Sequence, residues 1–266
     1  MGEIAVKLAV KDVRKSFRMR SGAESRILSI LGGVSFDIAE GEIVSLIGES
    51  GCGKTTLLRI VQGLLTLDSG AIAVDGVTVT GPGRDRGLVF QQPNLLPWRT
   101  ARQNVEFGME LMKLPKVERI ERANALLRLV GLDHAADQYP HQLSGGMQQR
   151  IGLARALAID PKILLMDEPF SALDAQTREV LQAELLRIQA ETGKTTLFVT
   201  HDLDEAIYLS NRIVVLAAKP GRVKTIISVP FTHPRPPLPA MRGDPVFQEI
   251  RAEIWSLIRG TESVAA

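Results

Sequence analysis

Apolar residues along the chain recur at two periods, and the switches between those periods predict an α/β protein. Ile4, Val6, Leu8, Val10 and Val13 alternate with polar neighbours and predict a strand over 4–17, whereas Arg18 to Ser29 is polar and glycine-containing and reads as a loop. Val34, Phe36 and Ile38 alternate again and turn at Glu40-Gly41 into Ile43-Val44-Ser45-Leu46-Ile47, an apolar run rich in β-branched residues that reads as a buried strand. Leu57, Leu58, Ile60 and Val61 then recur at helical spacing until Gly63. Ala71–Val74 and Val77–Val79 flank Asp75-Gly76, a hairpin signal, and Gly87–Phe90 reads as another buried strand. From Thr100 to Gln142 the period is helical, with Val105, Met109 and Met112 on one face and Ile120, Ala123, Leu126, Leu127 and Val130 on another. This stretch, with the helix that follows it, predicts an all-helical subdomain at about 100–158. Strands at 162–166, 196–200, 213–216 and 224–229 follow, with a helix carrying Leu181, Leu185 and Ile188 after the first. Five prolines in 230–239 predict a stiff linker, and Phe247, Ile250, Ile254 and Leu257 line one face of a last amphipathic helix.

Chemistry concentrates where these elements join. Between the strand ending at Ile47 and the helix beginning near Leu57 lies Gly48-Glu49-Ser50-Gly51-Cys52-Gly53-Lys54-Thr55-Thr56. A glycine-rich turn between strand and helix can be ordinary, but here the glycines let successive backbone N–H groups curl inward at a helix N-terminus, which suits phosphate. Lys54 would reach the β- and γ-phosphates as a mobile charge and the Thr55 hydroxyl would ligate Mg²⁺. Cys52 lies inside the same curl, where the helix dipole and Lys54 are expected to favour its thiolate. Asp167-Glu168 closes an apolar strand. Two carboxylates there are costly to hide and natural around Mg²⁺, and strand alternation would aim them differently, Asp167 to the metal and Glu168 to an attacking water. Ser144 is a natural N-cap, and with Gly145 and Gly146 it makes a second anion site, a weak signal by itself. His201 ends a strand, where a lone histidine is more often structural, and Phe17 closes one, where an aromatic is more often core than a base-stacking platform. Asn94-Leu95-Leu96-Pro97-Trp98 is apolar where a loop should be polar. It is either folded onto the core or kept for a partner.

Composition narrows the field. Of 266 residues, 45% are hydrophobic and 23% charged, and the net charge of +2 offers no basic stripe for nucleic acid. The single cysteine excludes an intrachain disulfide and suits a reducing compartment. No signal peptide is visible, Val6 breaks a myristoylation motif, and no apolar run reaches the ~18 residues of a membrane span.

Taken together, these pieces resemble the ATPase subunit of ATP-binding cassette (ABC) transporters over nearly the whole chain. The phosphate loop at 48–56, Gln91, Leu143–Arg150 as the family signature, Asp167-Glu168, Ser171–Asp174 and His201 follow in family order. The resemblance implies an α/β P-loop NTPase core: a mostly parallel sheet with helices, an antiparallel β subdomain and the inserted helical subdomain. The ATPase domain would span 1–229, the linker 230–243 and the final helix and tail 244–266. ATP and Mg²⁺ are implied as substrate and ion. In family roles, Phe17 stacks on the base, and Gln91 senses the γ-phosphate and Mg²⁺. Glu168 is the general base, His201 contacts the γ-phosphate, and Asp174 orders a dimer interface. One triphosphate cannot fill both the loop at Lys54 and the helix end at Ser144 of one chain. A head-to-tail dimer of two copies would place each ATP between them. Implied partners are membrane-embedded permease subunits and, indirectly, a solute-binding protein, with the ATPase peripheral on the cytoplasmic side of the inner membrane. Residues 91–98 and 166–174 look most like the nitrate, sulfonate and taurine importers. A non-transport ABC ATPase usually carries two cassettes or a long coiled-coil insert, neither of which is seen here. A P-loop GTPase would want Asn-Lys-x-Asp, which is absent, and a kinase would leave Leu143–Arg150 unexplained.

Overall fold

Two antiparallel strands, β1 (Val6–Ser21) and β2 (Glu24–Ala39), open the computed structural model, which describes residues 5–21 and 24–259. The loop predicted at 18–29 is instead the distal half of this hairpin, in register with Phe17 opposite Leu28 and Ser21 opposite Glu24. It escaped the pattern because Ile27 and Leu28 face water, at 69% and 41% exposed, and so mark no buried side. The proximal half is legible, with Leu8, Val10, Val34 and Ile38 buried. By contact, the chain divides into two compact units, Met1–Gly83 with Thr195–Ala266, and Arg84–Lys194.

In the first unit, β3 (Ile43–Gly48) runs into α1 (Lys54–Gln62), and β4 (Ser69–Val74) turns into β5 (Val77–Thr78). The β4–β5 turn has positive φ at both Asp75 (48°) and Gly76 (74°), the requirement of a two-residue type I′ hairpin. β4 and β5 join the first hairpin in an antiparallel sheet of order β2-β1-β4-β5.

The second unit holds β6 (Arg86–Val89), α2 (Ala101–Leu111), α3 (Lys116–Leu129), α4 (Gly145–Ala158), β7 (Ile163–Asp167) and α5 (Ala175–Thr192). β6 and β7 pair in parallel, Val89 opposite Met166. Thr100 and Gln103 close a reciprocal capping box on α2, and Val105 and Met109 are fully buried, while Met112 caps the helix half-buried. The helices predicted at 100–158 thus share one unit with two strands and α5.

The chain then returns to the first unit through β8 (Thr195–Val199), α6 (Leu203–Leu209), β9 (Arg212–Ala217), β10 (Arg222–Ser228), α7 (Leu238–Met241) and α8 (Pro245–Arg259). β3 pairs in parallel with both β8 and β9, and β10 pairs antiparallel to β9. With strands on both sides and every residue buried, β3 takes the continuous apolar sequence that such a position demands. Arg212 binds both carboxylate oxygens of Glu42 at 2.5 and 2.7 Å and the Asp37 carbonyl at 2.9 Å, tying β9 to the turn before β3. The proline-rich stretch, predicted as a stiff linker, is docked instead: Leu238 and Met241 are buried and the Phe231 ring meets Phe247 of α8 at 6.4 Å. Among the described residues no helix is long and apolar enough to cross a membrane.

Candidate nucleotide site

The loop after β3 is shaped by close approaches that leave no room for side chains. Gly53, the N-cap of α1, has φ 96°, and a Cβ there would lie 2.6 Å from Leu31. A Cβ on Gly221, in the β9–β10 connection, would meet the Cys52 carbonyl at 2.1 Å, so the loop is packed against that turn. Gly221 is in turn fixed by β2, its N–H donating to the Ile30 carbonyl and its carbonyl accepting from Gly32, each at 2.8 Å. Inside the curl the Lys54 ammonium is buried and donates to the carbonyls of Gly48 (2.7 Å) and Glu49 (3.2 Å), with Cys52 Sγ at 3.9 Å. Ser50, Gly51 and Thr55 are exposed. No side chain caps α1 and no acid stands in its first turn, so the positive end of its dipole is aimed into the loop, where it suits an anion.

Cys52 departs from expectation. It is fully buried, and burial pushes its thiol up from the ordinary value despite the attraction of Lys54. Desolvation outweighs the charge and dipole that were expected to favour the thiolate. Phe17, on β1, is 39% exposed and the Lys15 ammonium lies 5.5 Å from its ring. His201 is exposed just past β8. Its neighbours are fixed by the buried Thr200 hydroxyl, which donates to Glu205 Oε2 at 2.6 Å and accepts from the Asp202 N–H at 3.0 Å.

In the other unit, Gln91 is exposed at the head of an irregular segment running to Thr100. Three residues hold that segment by its backbone, Gln149 from the Leu143–Arg150 stretch and two, Asn104 and Arg155, that sequence reasoning missed. Gln149 of α4 donates to the Phe90 carbonyl (3.0 Å), and Arg155 to those of Pro93 (2.6 Å) and Asn94 (2.9 Å). Asn104 of α2, fully buried, accepts from the Leu96 N–H and donates to the carbonyls of Leu96, Arg99 and Thr100. Leu95 and Leu96 are half-buried while Trp98 is 71% exposed, so the apolar run turns inward and then outward.

Asp167 ends β7, but Glu168 lies beyond the strand in a left-handed conformation, φ 46°. The expectation that strand alternation aims the two acids is therefore corrected, because Glu168 lies past the strand and its backbone is set by the turn. The Glu168 carbonyl accepts from both the N–H (3.2 Å) and the hydroxyl (2.9 Å) of Ser171. Asp174 caps α5 through the Thr177 N–H at 3.0 Å, and hydrogen bonds from the Thr177 hydroxyl and then from that N–H lower its carboxyl from the ordinary value. Ser144 caps α4, accepting from Met147 N–H at 3.3 Å. Gly145 is exposed, but Gly146 is buried, and a Cβ on it would lie 2.7 Å from Thr177. Gly146 therefore serves the close approach of α4 and α5.

A model of the ABC transporter family matches residues 31–171, more than half of the chain. The chain belongs to that family. An uncharacterized ABC transporter ATP-binding protein of Methanocaldococcus jannaschii is 49% identical over 96% of this chain and 92% of its own length. A taurine import ATP-binding protein of Rhizobium johnstonii is 45% identical over 90% of this chain and 92% of its own. A bicarbonate transport ATP-binding protein of Synechococcus elongatus is also 45% identical over 93% of the chain, which spans 37% of that longer protein. Among solved structures, a dimeric ATP-binding cassette in a post-hydrolysis state with ADP and Pi is 36% identical, with a TM-score of 0.71 over 85% of this chain and all of that one. The protein is thus an ATP-hydrolysing ABC subunit with a P-loop core, related broadly to several importer ATPases rather than to one subgroup. Its predicted site residues fall into two sets. Phe17, Gly48 to Thr56 and His201 lie in the first unit of the cassette, and Gln91, Ser144, Gly145, Gly146, Asp167, Glu168 and Asp174 in the second.

Proposed function

We propose that this ABC subunit powers the uptake of a small anionic solute, of the nitrate, sulfonate or taurine kind, through a separate permease, and that ATP is hydrolysed between two copies of the chain. The observation that carries the reading is Lys54, buried in a curl of backbone and held there by neutral carbonyls. Phosphate oxygens would replace those partners with charge-assisted ones. Phe17 stacks on the base, and the loop from Gly48 through Glu49, Ser50, Gly51, Cys52, Gly53 and Lys54 to Thr55 and Thr56 cradles the phosphates. Thr55, Asp167 and Gln91 would hold Mg²⁺. They offer oxygen donors, and among the described residues no cluster of three His, Cys, Asp or Glu makes an all-protein cage. That donor set fits an ion shared with substrate phosphates, where it neutralises charge on the transferred group. Glu168 takes the proton of the attacking water and His201 contacts the γ-phosphate. The second copy supplies Ser144, Gly145 and Gly146, with Asp174 ordering the interface. The dimeric state of a solved cassette supports this arrangement, and the taurine and bicarbonate relatives support an anionic solute. The subunit would sit peripherally on the cytoplasmic face of the inner membrane, on permease subunits fed by a solute-binding protein.

Glu168→Gln keeps the side chain's shape but cannot take a proton, so it should bind Mg-ATP and persist as a dimer while hydrolysing about 10²–10⁴-fold slower. Lys54→Ala should lose nucleotide and dimer together. Gel filtration with and without ATP, alongside phosphate release, separates the two. Near-wild-type turnover in Glu168→Gln would remove Glu168 as the base and make His201 the first candidate.

A further inference from the structure

The docked C-terminal segment converges on one short helix. α6 has seven residues, too few to hold its own position, so what grips its ends decides where it lies. At its C-terminal end the Arg235 guanidinium donates to the carbonyls of Ile207 (2.8 Å), Tyr208 and Ser210 (2.7 Å), and also to that of Phe231 (3.1 Å). One cation thus satisfies the carbonyls that a helix end leaves unpaired and faces the negative end of its dipole. The arrangement is costly: Arg235 Nε is buried without an acceptor, and burial brings the group down to about 10. In the first turn of α6, the two Asp204 oxygens take Arg242 Nε at 2.7 Å and Arg251 Nε at 2.9 Å, from the end of α7 and from α8. Only residues 200–202 join α6 to β8. Thr200 and Asp202 there are hydrogen-bonded into the α6 N-terminus, and His201 stands between them.

We infer that Arg235, with the Asp204–Arg242–Arg251 cluster, is a positioning device for His201: the proline-rich segment and final helix clamp α6 at both ends and so set where the histidine is presented. The inference rests on the proposed contact of His201 with the γ-phosphate. A group that acts on the transferring phosphoryl counts mainly in the transition state, so its misplacement lowers kcat more than it raises KM.

The test is a cycle on the full chain with His201→Ala, Arg235→Ala, their double variant and Arg235→Lys. It is read by kcat and KM for ATP, melting temperature, and hydrogen exchange of amides 200–209. Arg235→Ala should lower kcat about 10-fold or more with little change in KM. Exchange across 200–209 should quicken, and Arg235→Lys should recover part of the rate. The further loss in the His201→Ala background should be no more than about twofold. Arg242→Ala with Arg251→Ala, whose side chains are 43% and 50% exposed, repeats the test without a buried change and should lower kcat in the same direction. If His201→Ala loses rate but Arg235→Ala keeps it, or if the two losses multiply, the inference falls and the role of His201 stands. Wild-type turnover in His201→Ala overturns both. Should Arg235→Ala not fold, an unchanged kcat in the Arg242/Arg251 pair overturns the inference alone.

Discussion

Glu168 carries its carboxylate on a left-handed backbone that a non-glycine residue adopts at a cost of about 1–3 kcal/mol. The doubled hydrogen bond from Ser171 to its carbonyl offsets part of that cost and fixes the turn. Cys52 shows the opposite case, a reactive residue type made inert by where it sits. Because burial raises its pKa, the folded thiol stays protonated where the unfolded one ionises. Its contribution to stability is therefore full below the ordinary value of 9.0 and lost as pH rises towards the folded value. Melting curves of wild type and Cys52→Ala should accordingly diverge above that pH, with the wild type falling more steeply. Iodoacetamide should label the native protein slowly near about pH 7.5 and the urea-unfolded protein fast. Rapid stoichiometric labelling of the native chain would sink this account.

Between residue and whole lies the 90–100 segment, held by α2 and α4 through Asn104, Gln149 and Arg155. Asn104→Ala would orphan the Leu96 N–H and remove three carbonyl contacts, a loss of about 2–4 kcal/mol, seen as a lower melting temperature. Trp98→Gln, at a largely exposed position, should change stability by no more than about 0.5 kcal/mol. If Trp98 belongs to the surface that receives the permease, the same change should uncouple transport while basal ATP hydrolysis stays intact. Full coupling in Trp98→Gln would mean that its exposure serves no partner. α2, α3 and α4 were legible as elements because their apolar spacing and caps are local. The distal half of the β1–β2 hairpin was not, because Ile27 and Leu28 there are exposed and mark no buried side.

At the scale of the molecule, the proposed function makes the cassette one part of an assembly whose solute it does not itself bind. With its permease and binding protein in vesicles, its ATPase rate should rise several-fold with one of taurine, nitrate or bicarbonate, and not with a neutral sugar. Stimulation by the sugar alone would retire the anionic reading while leaving the ATPase untouched.

What the chain's order of residues determined by itself was the chemistry: a glycine loop with Lys54 and Thr55 between strand and helix, Asp167-Glu168 after an apolar run, and Ser144 before a helix. Such groups are specified by short-range spacing, since neighbours in sequence are neighbours on a turn or helix end. Tertiary structure alone decided the rest. It buried the Cys52 thiol, moved Glu168 out of its strand, and set Gly146 against Thr177. It also turned a proline-rich linker into a clamp on α6, through Arg235 reaching carbonyls 25 to 28 residues away. Burial and long-range hydrogen bonds depend on which segments meet, and no local period records that.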